Sequence, residues 1–242
     1  MKKIFLISLI VFAMLSLAAC SFTVIQGSGH VITDERIISD VHGVDLSAYG
    51  ELNIKQGTTE SFTIQGDDNI TPHIISEVRN GILYIQFDDK WGSFYRSSEP
   101  IQFNLTVKNI DTISFSGAGS IKSNDLTADS LTISLSGAGD IEFNNLQVNN
   151  VDVNLSGAGN VHLTGATVSQ KITLSGVGNY NTQDMSSKSA TISLTGAGNA
   201  TVWVSDTLDV HISGAGSVSY YGQPQITKEI SGLGSLRPKG DK

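Results

Sequence analysis

The sequence is poor in most of the residues on which common folds and chemistries rely. Of its 242 residues one is a cysteine, Cys20, so no internal disulfide can form and a small cystine-stapled framework is excluded. Proline occurs four times and no long block of like charge appears, which argues against wholesale disorder. Basic side chains are outnumbered, 15 against 23, and the net charge of −8 argues against nucleic acid or anionic lipid as a partner. The five histidines, His30, His42, His73, His162 and His211, are scattered with no His-x-x-x-His pair, so no metal set is evident. After residue 19 no stretch is apolar enough to span a membrane as a helix.

The first twenty residues are the exception to this apolar poverty. Lys2 and Lys3 precede an almost unbroken apolar run, Ile4 to Leu17, and Leu17-Ala18-Ala19-Cys20 closes it with small residues before the cysteine. The run is shorter than the ~20 residues a spanning helix needs, which marks a secretory signal peptide over residues 1–19. Its ending resembles the lipobox of bacterial lipoproteins. That resemblance implies diacylglycerol on the Cys20 thiol and an acyl chain such as palmitate on its amino group, hence a stable lipid anchor in a membrane. An ordinary secreted protein with a chance cysteine is the alternative. Ser21, not Asp, follows the cysteine, so an outer-membrane destination is expected if the host is Gram-negative. Residues 20–36 then read as lipidated cysteine and short tether.

Glycine, with 25 residues, is what the chain has in quantity, and much of it is periodic. Seven Gly-x-Gly copies are formed by Gly117 and Gly119, Gly137 and Gly139, Gly157 and Gly159, Gly176 and Gly178, Gly196 and Gly198, Gly214 and Gly216, and Gly232 and Gly234. Their spacings of 20, 20, 19, 20, 18 and 18 mean a repeat architecture. Two residues before each copy stands a large apolar residue, from Phe115 and Leu135 to Ile230, and four before it another, failing only at Lys228. A hydroxyl directly precedes every copy, from Ser116 to Ser231, and an apolar column from Ile121 to Leu236 follows four residues after its start. Period two identifies strands, so each repeat is strand, glycine corner, short strand and variable turn. Two strands in about twenty residues cannot bury a face alone, whereas stacked coils cover one another.

The expected fold is all-β: a β-solenoid, parallel β-helix-like, of about seven Gly-x-Gly coils over residues 111–236. At ~4.8 Å per coil the stack is a rod of about 29 Å. The corner glycines fit a need for positive φ or close backbone approach, and Ala118, Ala138, Ala158, Ala197 and Ala215 fit a corner without room for bulk. The hydroxyl column could form a ladder along the rod, as could the column Ser120, Asp140, Asn160, Asn179, Asn199, Ser217 and Ser235. An antiparallel meander is the rival topology. Residues 37–110 read as a β region that begins or caps the stack. Within it Glu51–Lys55 and Ser61–Gln65 look like paired strands, Asn80-Gly81 marks a hairpin, and Ile101 to Val107 leads into the first glycine repeat. Residues 237–242 form a polar tail that would blunt the last strand.

The recurring Leu-Ser-Gly-Ala-Gly-[Ser/Asp/Asn]-[Ile/Val] unit resembles the head GIN domain family, named for an auto-transporter adhesin head. Gln65-Gly66-Asp67-Asp68-Asn69-Ile70, Glu77-Val78-Arg79-Asn80-Gly81-Ile82-Leu83 and Tyr221-Gly222-Gln223-Pro224 fit it too, so the resemblance covers roughly residues 37–236. It implies a β-solenoid on exported, often lipid-anchored envelope proteins, and it brings no catalytic residues to carry over.

Chemistry is sparsely signalled. No Gly-x-Gly copy has the third glycine of a dinucleotide fingerprint, no phosphate loop and no nucleophile elbow occurs, and no cofactor is implied. Calcium stays open around Asp67 and Asp68 or Asp88 and Asp89, although such pairs are more often solvated loop carboxylates. A polysaccharide lyase or hydrolase on a β-helix needs carboxylates converging on one face. Asp140 and Glu142 share a coil, yet Asn160 and His162 stand in the next. Binding has more support. Trp203, between inward Val202 and Val204, shares its coil position with Tyr221, an outward aromatic platform for a sugar ring or protein partner. Trp91 and Tyr95, with Phe94, lie between Lys90 and Arg96 and form a second candidate, or else cap the core. The sequence thus points to a non-enzymatic envelope protein for adhesion or glycan or cell-surface partner binding, with an enzyme or a structural envelope component as alternatives.

Overall fold

The structure, a computed structural model, describes residues 23–88 and 93–242. Cys20 and Trp91 lie outside the described residues. The N-terminal strands are β1 (Thr23–Gln26), β2 (Val31–Arg36), β3 (Gly43–Leu46), β4 (Tyr49–Gln56), β5 (Ser61–Asp67), β6 (Ile74–Arg79), β7 (Ile82–Phe87), β8 (Ser93–Arg96) and β9 (Gln102–Val107). The glycine repeat supplies β10 (Thr112–Phe115), β11 (Ala118–Asn124), β12 (Thr127–Leu135), β13 (Ala138–Leu155), β14 (Ala158–Leu174) and β15 (Val177–Leu194). It ends in β16 (Asn199–Ile212), β17 (Ser217–Tyr221), β18 (Gln225–Ile230) and β19 (Ser235–Pro238).

From β10 onward the coils stack in parallel, with like residues on like. Ile113 pairs with Ile133 and Phe115 with Leu135, Ile141 with Val161 and Leu155 with Leu174, and Ile192 with Val210. The fold is therefore the expected β-solenoid, and the antiparallel meander is not formed. The inward columns Ile133, Val153, Ile172, Ile192 and Val210 are buried in one continuous core, each stabilising the stack by about 1.5–3 kcal/mol.

Close approach, not backbone strain, explains most of the corner glycines. A Cβ on Gly137, Gly157, Gly176 or Gly196 would lie 2.1 Å from the carbonyl oxygen of the corner glycine one coil below. Of the fourteen corner glycines only Gly119 has a positive φ, 132°. The residue between the glycines has a different reason from the one expected. Ala118, Ala138, Ala158, Ala197 and Ala215 are exposed, and the same position holds Val177, 59% exposed, and Leu233, 92% exposed. Bulk is tolerated there because the side chain leaves the rod.

The N-terminal region is wound out of chain order. β3 pairs in parallel with β10 on one side and β7 on the other, and β4 likewise lies between β11 and β9. The rung of residues 43–56 is thus laid down first and sits between the later β7/β9 rung and the first glycine coil. Its corner, Ser47-Ala48-Tyr49-Gly50, is a degenerate copy: Gly117 packs on the Ala48 carbonyl and Gly119 on that of Gly50. Consequently Glu51–Lys55 and Ser61–Gln65 are not neighbours. β9 lies between them, parallel to β4 and antiparallel to β5. Ile101 to Val107 do lead along the chain into the first glycine repeat, while β9 itself pairs with β4. The Asn80-Gly81 hairpin is present, with φ of 50° and 76° joining β6 and β7, as a type I′ turn requires.

Antiparallel β5, β2 and β6 close this end of the rod. Asp67, at the end of β5, is its knot: it accepts hydrogen bonds from the Gly29 N–H (2.8 Å), the Ser98 N–H (2.8 Å) and the Ser98 hydroxyl (2.7 Å). Burial works to raise its pKa, but these donors outweigh it and hold the carboxyl below the usual value. The stretch read as tether carries two strands, β1 and β2, and β1 pairs in parallel with β8 as a small separate sheet. The polar tail departs from expectation as well. It continues the last rung along Tyr220 and Gly222 and leaves β18 exposed along its length.

Candidate functional site

One long face of the rod carries the outward side chains of β9, β4, β11, the leading halves of β13 to β16, β17 and β19. Fixed strand spacing turns equivalent residues into axial columns. The column two residues past each corner is a hydrogen-bonded ladder: Asn160 donates to Asp140 (2.8 Å), Asn179 to Asn160 (2.9 Å) and Asn199 to Asn179 (3.2 Å). Ser217 continues it, its N–H donating to Asn199 and its hydroxyl lying 3.0 Å from that of Ser235. In the hydroxyl column, Ser47 and Ser116 meet at 2.9 Å.

Near the N-terminal end of this face a cleft of about 650 Å³ opens between β4, β9 and β11. It exists because β4 and β11 part company. Their register ends at Ile54 and Ser123, where the buried Ser123 hydroxyl donates to the Ile54 carbonyl (2.8 Å), and the chain turns away at Asp125 with φ of 58°. Gln56 spans the gap, donating to the Lys108 and Thr127 carbonyls and accepting from the Thr127 N–H. Lys55, Lys122, Asn53, Asn104 and Asn124 line the opening. This site was not foreseen. The degenerate corner at Ser47–Gly50 was the available signal, because it places Asn53 opposite Lys122.

At the other end of the same face Trp203 stands opposite Tyr221, both half-buried. The pair is not bare. The Lys242 ammonium lies 5.6 Å from the Trp203 ring centre and 5.3 Å from that of Tyr221, and it donates to the Gln183 carbonyl (2.7 Å) and to the Asp184 carboxylate. The bond from Lys242 is the main reason the Asp184 carboxyl is held below its usual pKa. A cation–π seat of this kind is worth about 0.5–2 kcal/mol. Tyr95 is not brought to this face. It stacks on Phe87 (4.8 Å), which stacks on Tyr49 (4.9 Å), and it packs against the core. Its hydroxyl donates to Asp88, which also holds His73 Nδ1 at 2.9 Å. Burial, then Asp88, push the Tyr95 hydroxyl up to about 12, so it stays a donor.

The acids weighed as catalysts are tied into the ladders. Asp140 accepts from the Asn160 amide and N–H, and Glu142 from Asn144 at 3.4 Å. Asp67 and Asp68 serve the loop at residues 27–30, Asp68 accepting from the Ser28 hydroxyl (2.6 Å). Among the described residues no group of three or more His, Cys, Asp or Glu is placed to hold a metal ion. No helix among them is long and apolar enough to cross a membrane. A buried polar cluster inside the coils was also unforeseen: Gln170 accepts from Tyr180 (2.8 Å) and Thr182 (3.0 Å) and donates to Ser187 (2.9 Å).

Comparison with known proteins agrees with this architecture. Residues 40–224 match the family model described as "Putative auto-transporter adhesin, head GIN domain". A structure described as a "putative adhesin" from Bacteroides fragilis is 26% identical, with a TM-score of 0.84 over 88% of this chain and 99% of that one. A "putative lipid binding protein" from Parabacteroides distasonis shares the fold at 21% identity, with a TM-score of 0.69 over 89% of this chain and 99% of its own. A "putative adhesin" from Parabacteroides merdae shares it at 18% identity, with a TM-score of 0.66 over the same shares of the two chains. No curated protein matches the chain.

Proposed function

The chain belongs to the head GIN domain family, and from that premise we propose that it is a lipid-anchored envelope protein whose solenoid binds glycans without transforming them. The family and the B. fragilis neighbour support an adhesin-like role. The observation that carries the finer reading is the long polar face. It offers a ladder of amides and hydroxyls at fixed spacing, with a polar cleft toward one end and an aromatic pair toward the other, while its acids are held apart in separate ladder contacts. Rigid donors and acceptors in register suit a repeating polymer, whereas hydrolysis or elimination needs acid and base to converge on one bond.

The lipid anchor rests on the Leu17–Cys20 ending. Only Ser21 and Phe22 separate Cys20 from β1, a reach of about 10 Å at full extension, so the anchored domain stands against the membrane surface. Two measurements test the proposal. Cys20→Ser should move the intact domain from the membrane to the soluble fraction; continued tight membrane association refutes the anchor. Glycan-array screening should give binding, and release of shortened products would replace binder with enzyme.

A further inference from the structure

We propose that the cleft between β4 and β11 is a subsite for an acidic saccharide, with a uronate carboxylate lying between Lys55 and Lys122; this rests on the glycan-binding reading above. Two cations, Lys55 and Lys122, line this one opening on the long face. Lys122 stands opposite Asn53, and Lys55 follows two residues along on the same side of β4, so both lysines leave the sheet on the face that carries Asn53 and line the same cleft. Neither lysine makes an ion pair among the described residues. Of the nearby acids, Asp125 lines the cleft and Glu142 stands opposite Lys122 on the next strand; each is hydrogen-bonded to an amide, Asp125 to Asn145 (2.6 Å) and Glu142 to Asn144 (3.4 Å), as Glu51 is to Gln102 (3.4 Å).

The remaining polar groups argue for a sugar and against a bare anion. Asn53, Asn104 and Asn124 present amides, each donor and acceptor at once, which match hydroxyls that also donate and accept. Asn53 is oriented by Gln102 and Asn104 at 3.3 and 3.4 Å, and Asn124 by Asn144 at 3.1 Å. The net charge of −8 disfavours anionic partners in general, so binding of an acidic saccharide depends on local contact with these two lysines and the amides beside them.

The test is calorimetric titration of the intact chain with an oligogalacturonate, with the neutral oligogalactoside of equal length, and with polyglutamate. The oligogalacturonate is expected to bind at least about tenfold more tightly than either control, and more weakly at high salt. Lys55→Gln and Lys122→Gln should each weaken it by about tenfold, as loss of a charge-assisted bond does, while Lys171→Gln, on the trailing half of β14 and outside that face, should leave it unchanged. Unaltered thermal unfolding of these exposed variants excludes a folding defect. Equal binding of the neutral sugar, or a double lysine variant that binds like wild type, overturns the acidic subsite but leaves glycan binding standing. Equal binding of polyglutamate overturns the saccharide assignment. Absence of binding to every probe overturns the subsite, and an array negative for every glycan removes the wider reading with it.

Discussion

The glycine repeat and the N-terminal region build the same coil by different means. In the repeat, every rung after the first rests on the rung before it in sequence, and a missing Cβ at each corner lets backbones approach until carbonyl and glycine touch. In the N-terminal region the rungs are out of order, the corner is Ser47-Ala48-Tyr49-Gly50, and closure depends on antiparallel strands tied by one buried carboxylate. Nearest-neighbour stacking tolerates variation in its turns but not in its corners. The interleaved end tolerates variation in its corners but depends on particular polar knots. The cleft opens where the two schemes meet.

The largest way to break this contrast is at a corner. Gly157→Val should cost about 4 kcal/mol or more, because its Cβ would lie 2.1 Å from the Gly137 carbonyl oxygen. Ala158→Val beside it should cost less than about 0.5 kcal/mol, since Val177 already occupies that outward position one coil on. Chemical denaturation of the pair checks both. Comparable losses would mean that close approach is not what selects the glycines.

Asp67 tests the other region. Asp67→Ala strands the Gly29 and Ser98 donors and should cost about 3 kcal/mol. Hydrogen exchange should speed up in β2 and β5 and stay protected in β13 to β15. The sign with pH follows from a folded carboxyl held below its ordinary value of 3.8. Its stabilisation is complete above that value and is lost as pH falls through the lower folded pKa. Asp67→Asn should therefore lose part of the wild-type acid sensitivity below about pH 4, which thermal unfolding across that range will detect.

Smaller effects sharpen the comparison within the repeat. Gln170→Leu leaves the Tyr180 hydroxyl without its buried acceptor and should cost about 2 kcal/mol, with Tyr180→Phe in the same background recovering part of it. Smaller again is Lys242→Ala, at about 1 kcal/mol. In a Trp91→Phe background it should shift Trp203 emission, because the ammonium leaves the ring. An unchanged spectrum would mean that Lys242 does not cover the aromatic pair.

What could be read from the sequence follows the same division. Ile113, Phe115 and their equivalents recur every 18–20 residues, so parallel coils and the pairing of Trp203 with Tyr221 could be placed by counting from the corners. Counting fails where contact order is high. Nothing local in Gly43–Gln56 says that residues 82–107 will pack on one side of it and residues 112–124 on the other, and Gly57-Thr58-Thr59, between Glu51–Lys55 and Ser61–Gln65, reads as a hairpin turn between strands that β9 separates. The site was legible in the same proportion. The aromatic pair belonged to the repeat and was visible, while the cover by Lys242 and the cleft between Lys55 and Lys122 depend on where distant segments arrive.

The central claim, that this face holds a polymer and leaves it intact, is tested most directly by the fate of the ligand. After oligogalacturonate is bound to the intact chain at saturation and incubated for many hours, its mass profile should be recovered unchanged. Shortened chains, or unsaturated ends from elimination, would contradict the account and make the face an active site.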